Sequence, residues 1–139
     1  MKLATFRAAA LSGLDRHDLA IPLYQEATEH FESKYGRYHV TTLTTLNNYG
    51  VALIAAKRGG EAIAVFKRLL TDTEDIFDSM RPVLLRNLGH GQLVHGQLAQ
   101  AEMTLQQARE LSFGRGETDN VERCNQLLAD CRTAQSQAE

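Results

Sequence analysis

The stretch "NNYGVALIAAKRGGEAIAVF", residues 47–66, decides the fold. Its apolar spacing is helical, yet Gly50 stands in the apolar middle, where glycine costs roughly 1 kcal/mol relative to alanine. Gly89 has the same setting in "LLRNLGHGQLVHG", residues 84–96. The two glycines are in register with other residues. Gly50 and Gly89 lie 39 residues apart, and so do Ala62 and Ala101, Phe66 and Leu105, Leu46 and Leu85, and Asn48 and Asn87. Stepping back 42 residues from Gly50, Ala62 and Phe66 lands on Ala8, Ala20 and Tyr24. Small residues fall on small ones and bulky on bulky across three copies, which is the signature of a helical repeat array.

Outward from this stretch the pattern continues. Periodicities near 3.6, rich in Ala, Leu, Gln and Glu, predict helices at 2–13, 17–34, 40–57, 60–78, 82–95, 98–113 and 118–135. Breakers separate them: "SGLD" (12–15), "YGRYH" (35–39), "RGG" (58–60), "HGQ" (95–97) and "FGRGE" (113–117), with Pro82 opening a helix in its first turn. β-branched alternation is scarce and no low-complexity linker divides the 139 residues, so the chain reads as one all-α domain. Its formal net charge of −2, without a basic block, argues against nucleic acid as a partner. No apolar run is long enough to span a membrane. Lys2 precedes small apolar residues as in a signal peptide, but Arg7 interrupts the run, and the segment is read as a first helix in the cytoplasm.

The repeat has recognisable content. "LNNYGVAL" (46–53) followed by "AIAVF" (62–66), and "LRNLGHGQ" (85–92) followed by "AEMTL" (101–105), follow a pattern of a leucine, two residues, a bulky residue and Gly, and then Ala-x-x-x-bulky. "ATFRAAAL" (4–11) with "AIPLY" (20–24) is a degraded first copy. This pattern resembles the tetratricopeptide (TPR) repeat. The stretch "YGRYHVTTLTTLNNYG" (35–50) is similar to the long-repeat, kinesin-light-chain-like kind. Three residues depart from it: Gln92 for an aromatic, Leu69 for a small residue and Ala8 for glycine. The resemblance implies a right-handed helical-hairpin solenoid of three repeats, about 1–38, 39–80 and 81–117, and a capping helix at about 118–135.

In such an array each helix pair buries its apolar side only against its neighbours. Gly50 and Gly89, with Ala8, would let the first helices of each pair approach closely. Ala20, Ala62 and Ala101 would do so on the second helices, where Tyr24, Phe66 and Leu105 fill the space one turn on. In "DNVERCNQLLADCRTAQ" (119–135), Val121, Cys124, Leu128 and Cys131 form a single apolar stripe, as a terminal covering helix requires. The two cysteines are roughly 10.5 Å apart along a helix, too far to bridge. They read as small buried hydrophobes of a reduced protein.

No catalytic, metal or cofactor site is expected. His90 and His95 are five apart and fit no zinc spacing; Glu26 and His30 form an ordinary i,i+4 surface pair; His39 reads as loop packing. No nucleophile elbow or phosphate loop occurs. What remains is binding. The first helix of each pair lines the concave surface, which nominates Thr44, Asn47, Asn48, Val51 and Ala55 in the second copy, Val83, Arg86, Asn87, His90 and Val94 in the third, and Lys2, Thr5 and Ala9 in the first. Amide side chains can donate to and accept from a peptide backbone, and Arg86 can meet a carboxylate with two parallel hydrogen bonds. Asn48 and Asn87 are open to a second reading, as groups that solvate an open face or hydrogen-bond between repeats. The carboxylate clamp of chaperone-binding relatives is matched only at Asn48; Thr5, Ala9, Val83 and Asn87 stand where its other residues would be. The expected function is a protein-interaction adaptor holding a peptide segment of a partner, with no membrane insertion. The alternatives are self-association as a homodimer through the first helix, or membership of a longer array; a sensor of a small peptide would use the same groove.

Overall fold

The computed structural model describes residues 7–11, 16–72 and 78–138. Residues 7–11 are helical (α1). They are followed by α2 (His17–Tyr35), α3 (Val40–Ala55), α4 (Gly59–Asp72), a 3-10 turn at Asp78–Met80, α5 (Arg81–Val94), α6 (Leu98–Gly114) and α7 (Thr118–Ala138). Among the described residues there is no strand, and from α2 onward each helix packs on the next in an all-α helical-hairpin solenoid. The expected helix 2–13 lies largely outside the described residues, as do Lys2, Thr5 and the "SGLD" break.

The turns explain where the helices stop. After α3 the Arg58 N–H reaches back to the Leu53 carbonyl at 2.8 Å; after α5 Gln97 does the same to Gln92, and after α6 Glu117 to Ser112, both at 2.9 Å. Each closure uses one left-handed residue: Lys57 (φ 64°), Gly96 (φ 86°) and Gly116 (φ 73°). Glycine takes that conformation freely, whereas Lys57 holds it under the strain of a Cβ. These closures correct two boundaries: α3 ends at Ala55 rather than 57, and Gly59 already belongs to α4, so the "RGG" break sits two residues earlier. The expected 60–78 helix ends in described structure at Asp72, and residue 78 belongs to the 3-10 turn. The α7 helix continues to Ala138, three residues past the expected end.

The α2–α3 connection is built differently. Gly36 (φ 95°) ends α2, the Thr42 hydroxyl donates to its carbonyl at 2.9 Å, and His39 caps α3. The His39 Nδ1 accepts from the Thr41 N–H at 3.1 Å while its ring stacks on Tyr35 with centroids 4.7 Å apart. Loop packing is therefore what this histidine does.

The core forms two clusters. The larger runs from Ala8 through Ala20, Tyr24, Leu53, Ala62 and Phe66 to Leu88. The smaller joins Ala101, Leu105, Leu128 and Cys131. A methyl group on Gly50 would lie 2.6 Å from Phe66 Cζ, and one on Gly89 would lie 2.7 Å from Leu105 Cδ2. The missing side chains thus admit the aromatic and leucine knobs of the following helices. A third close approach was not read from the sequence: a Cβ on Gly59 would sit 2.8 Å from both the Gly91 carbonyl oxygen and the His95 nitrogen, so α4 and α5 touch backbone to backbone. On α7, Cys124, Leu128 and Cys131 are buried as the stripe required, while Val121 is half-buried and Asn120 takes its place in the covered face.

Alternate helices also meet. α5 touches both α3 and α7, whereas α4 and α6 do not come together to a comparable extent. The odd-numbered helices therefore line the inside of the curve, and the face they form is the one on which the nominated groove residues stand.

Candidate functional site

Four side-chain hydrogen bonds link this inner layer. Asn87 Nδ2 donates to Asn47 Oδ1 across α5 and α3 at 3.3 Å. Arg86 donates through Nη2 to Asn87 Oδ1 at 3.1 Å and through Nη1 to Asn120 Oδ1 on α7 at 2.5 Å. Asn120 Nδ2 then donates to the buried Ser112 hydroxyl of α6 at 2.7 Å. Asn47, Asn87, Arg86, Asn120 and Ser112 form a polar ladder through four helices. Buried polar groups need such partners, since an orphaned one costs about 1–3 kcal/mol.

The ladder sorts the nominated residues. Asn87 is only 5% exposed and is bonded on both sides, so hydrogen bonding between helices is the role its geometry shows. Asn47 is half-buried beneath the same surface. Thr44, Val51 and Ala55 are exposed, and Asn48, Arg86, His90, Val83 and Val94 are half-buried. Register in the sequence pairs Asn87 with Asn48, but in space its hydrogen-bond partner is Asn47, one residue earlier.

Between α5 and the start of α7 lies a cavity of about 520 Å³, lined by Val83, Arg86, Glu117, Asp119, Asn120 and Arg123 among others. Asn120 and Arg123 had no place in the sequence reading. Asn120 was legible only as a polar residue in step with Cys124 and Leu128, and Arg123 carried no signal. Electrostatically the cavity is mixed, with Arg86 and Arg123 and the carboxylates Glu117 and Asp119 in its lining. Burial, then the like charge of Arg123, pushes the Arg86 guanidinium below its usual value. Burial, then Arg86, Lys57 and Arg123, holds His90 below the usual imidazole range, with Asp130 opposing. No group of three or more His, Cys, Asp or Glu among the described residues is placed to hold a metal. Burial also raises the thiols of Cys124 and Cys131 above their usual range, and the Cys131 sulfur donates to the Leu98 carbonyl at 3.2 Å.

A tetratricopeptide-repeat family model matches residues 2–75, more than half of the chain. The chain belongs to the tetratricopeptide-repeat family. The long-repeat, kinesin-light-chain-like kind is consistent with that match, and TPR repeats generally mediate contacts between proteins without being enzymes themselves. No curated protein sequence matches significantly. Beyond residue 75, α5, α6 and α7 continue the hairpin stacking of the matched TPR region. No described helix of this TPR chain is long and apolar enough to cross a membrane.

Proposed function

We propose that the chain is a non-catalytic adaptor that holds a peptide segment of a partner protein on the face formed by α3, α5 and α7. The observation that carries this reading is the cavity between α5 and α7, whose lining includes Arg86 of the inner face on which Thr44, Asn48, Val51 and His90 also stand. Exposed apolar groups beside half-buried amide and guanidinium groups suit an extended segment with both backbone and side-chain contacts. Asn47 and Asn87 hold that surface from beneath. The repeats divide at about 38, 80 and 117 in this reading, with α7 as the covering helix. The free, buried Cys124 and Cys131 fit a reducing, cytoplasmic setting.

The test is affinity capture from the native lysate with the wild-type chain and with Asn48→Ala/Val51→Glu, a variant on the surface whose fold is checked by circular dichroism. A protein retained by the wild type and lost by the variant supports the groove. An identical set from both, or recovery of the chain alone, removes the groove reading.

A further inference from the structure

The outer side of the stack has an opening of its own, away from the groove. α2 and α4 each pack closely on α3 but meet one another less, and a cavity of about 260 Å³ lies between them. Its apolar wall is buried Leu46 of α3 and Val65 of α4, and half-buried Tyr49 adds a ring and a hydroxyl. Ala64 of α4 leaves the space open. The same register position in the next copy, 39 residues on, holds the much longer Met103.

The charges in this lining do not balance. Glu32 of α2 pairs with Arg68 of α4 at 3.1 Å. Glu29, one turn earlier on α2, is exposed, and neither its carboxylate nor the Tyr49 hydroxyl has an ion-pair or hydrogen-bond partner among the described residues. Two carboxylates thus stand against one cation in the lining. Glu61 is near enough to act on the Tyr49 phenol, but Arg58 holds it with hydrogen bonds of 2.8 and 2.6 Å. Glu29 is the carboxylate left over.

We propose that this cavity takes a basic side chain of a partner protein, its cationic head on Glu29 and the Tyr49 hydroxyl and its methylene stem along Leu46 and Val65. Lys and Arg combine an apolar stem with a charged head in this way, and the Tyr49 ring is a further surface for a cation. An anion would meet the excess carboxylate. One carboxylate at an exposed mouth is a weak hold on a free amine, whereas a side chain is delivered by the rest of its own chain lying along the α2–α4 furrow. The proposal is independent of the groove reading, because its residues lie on α2, on α4 and on the other side of α3. With both faces occupied, the chain would bring two proteins together.

The experiment selects displayed short random-sequence peptides against the Asn48→Ala/Val51→Glu chain, in which the inner face is altered and the outer face is intact. The expected winners share a Lys or Arg. Their affinity for the wild-type chain, measured by calorimetry, should fall about fivefold when that residue becomes Gln or when the chain carries Glu29→Gln, the upper end for a partly exposed ion pair. Ala64→Met, which fills the cavity and leaves its charge unchanged, should also weaken binding. Both positions are exposed, and melting temperatures check that the variants fold. Winners without a basic residue, winners indifferent to both Glu29→Gln and Ala64→Met, or no winners at all overturn the proposal. Displacement of the peptides by n-butylamine at equal concentration also overturns it, in favour of a small amine. The groove is judged separately, by peptides that bind the wild type and are lost with Asn48→Ala/Val51→Glu.

Discussion

A glycine in a helix has opposite meanings depending on what a methyl group would touch. At Gly50 it would meet the ring of buried Phe66 at 2.6 Å, so Gly50→Ala should destabilise the chain by about 1–3 kcal/mol through overpacking. At Gly91, also inside a helix, the nearest side-chain atoms stand at 3.5 Å, an ordinary contact. Gly91→Ala should therefore raise stability by about 0.5–1 kcal/mol. Urea unfolding of both variants checks the pair, and the same sign for both would refute the packing account. Gln92 provides a second case. It is buried, its side-chain oxygen has no hydrogen-bond partner among the described residues, and it occupies a position where the family pattern has an aromatic residue. Gln92→Met should stabilise by about 1–2 kcal/mol by removing the orphaned acceptor, as thermal unfolding would show. Gly50 and Gly89 were legible in the sequence because they repeat at a fixed interval. Gly59 was not, because its neighbours are backbone atoms of another helix, and backbone atoms leave no trace in a residue pattern.

At the scale of the element, α7 is both a cover and a structural member. Its apolar stripe was legible from spacing, but Asn120 was not recognisable as a link, since its two partners lie 34 and 8 residues away on other helices. Asn120→Ala leaves the Arg86 guanidinium and the Ser112 hydroxyl short of a partner and should cost about 1–3 kcal/mol, measured by chemical denaturation. A loss no larger than for an exposed residue of the same helix would show that the ladder carries no stability. The cysteines report on the seating of the helix. Both thiols are fully buried and shifted by burial toward the unreactive protonated form, so neither should react with a thiol reagent at neutral pH until urea unfolds the chain. Rapid labelling in native buffer would mean that α7 lifts off independently of the rest. The candidate groove was legible in part for the same reason. First-helix residues such as Val51 and Arg86 follow from the repeat register, whereas the α5–α7 cavity depends on how the covering helix crosses, which no single-helix pattern encodes.

Across the whole molecule, His90 feels the α3–α4 turn, its own helix and α7 at once, through Lys57, Arg86, Arg123 and Asp130. Its neutral form is favoured in the fold, so the unfolded chain binds more protons from that lowered value up to about 6.5, the ordinary imidazole value. Stability should accordingly fall as pH drops through this interval and level off below it. Replacing His90 by Gln should reduce the difference in unfolding free energy between about pH 7.5 and 5.5, and an undiminished difference would assign the dependence to other groups. The all-α hairpin architecture was legible throughout because a repeated pattern states the same packing instruction several times; the direction of curvature was legible only through the family resemblance, because it arises from which alternate helices touch. A stack of helical hairpins is also a spring, and its compliance is unevenly distributed. Helices joined by side chains, as α6 and α7 are through Gln135 on Glu102, can shear by exchanging rotamers. Where Gly59 lies against the Gly91 carbonyl, no side chain intervenes and nothing can be exchanged. The α4–α5 joint is thus the stiff coil, and a groove mounted on such a spring widens at its ends while its middle keeps its gauge.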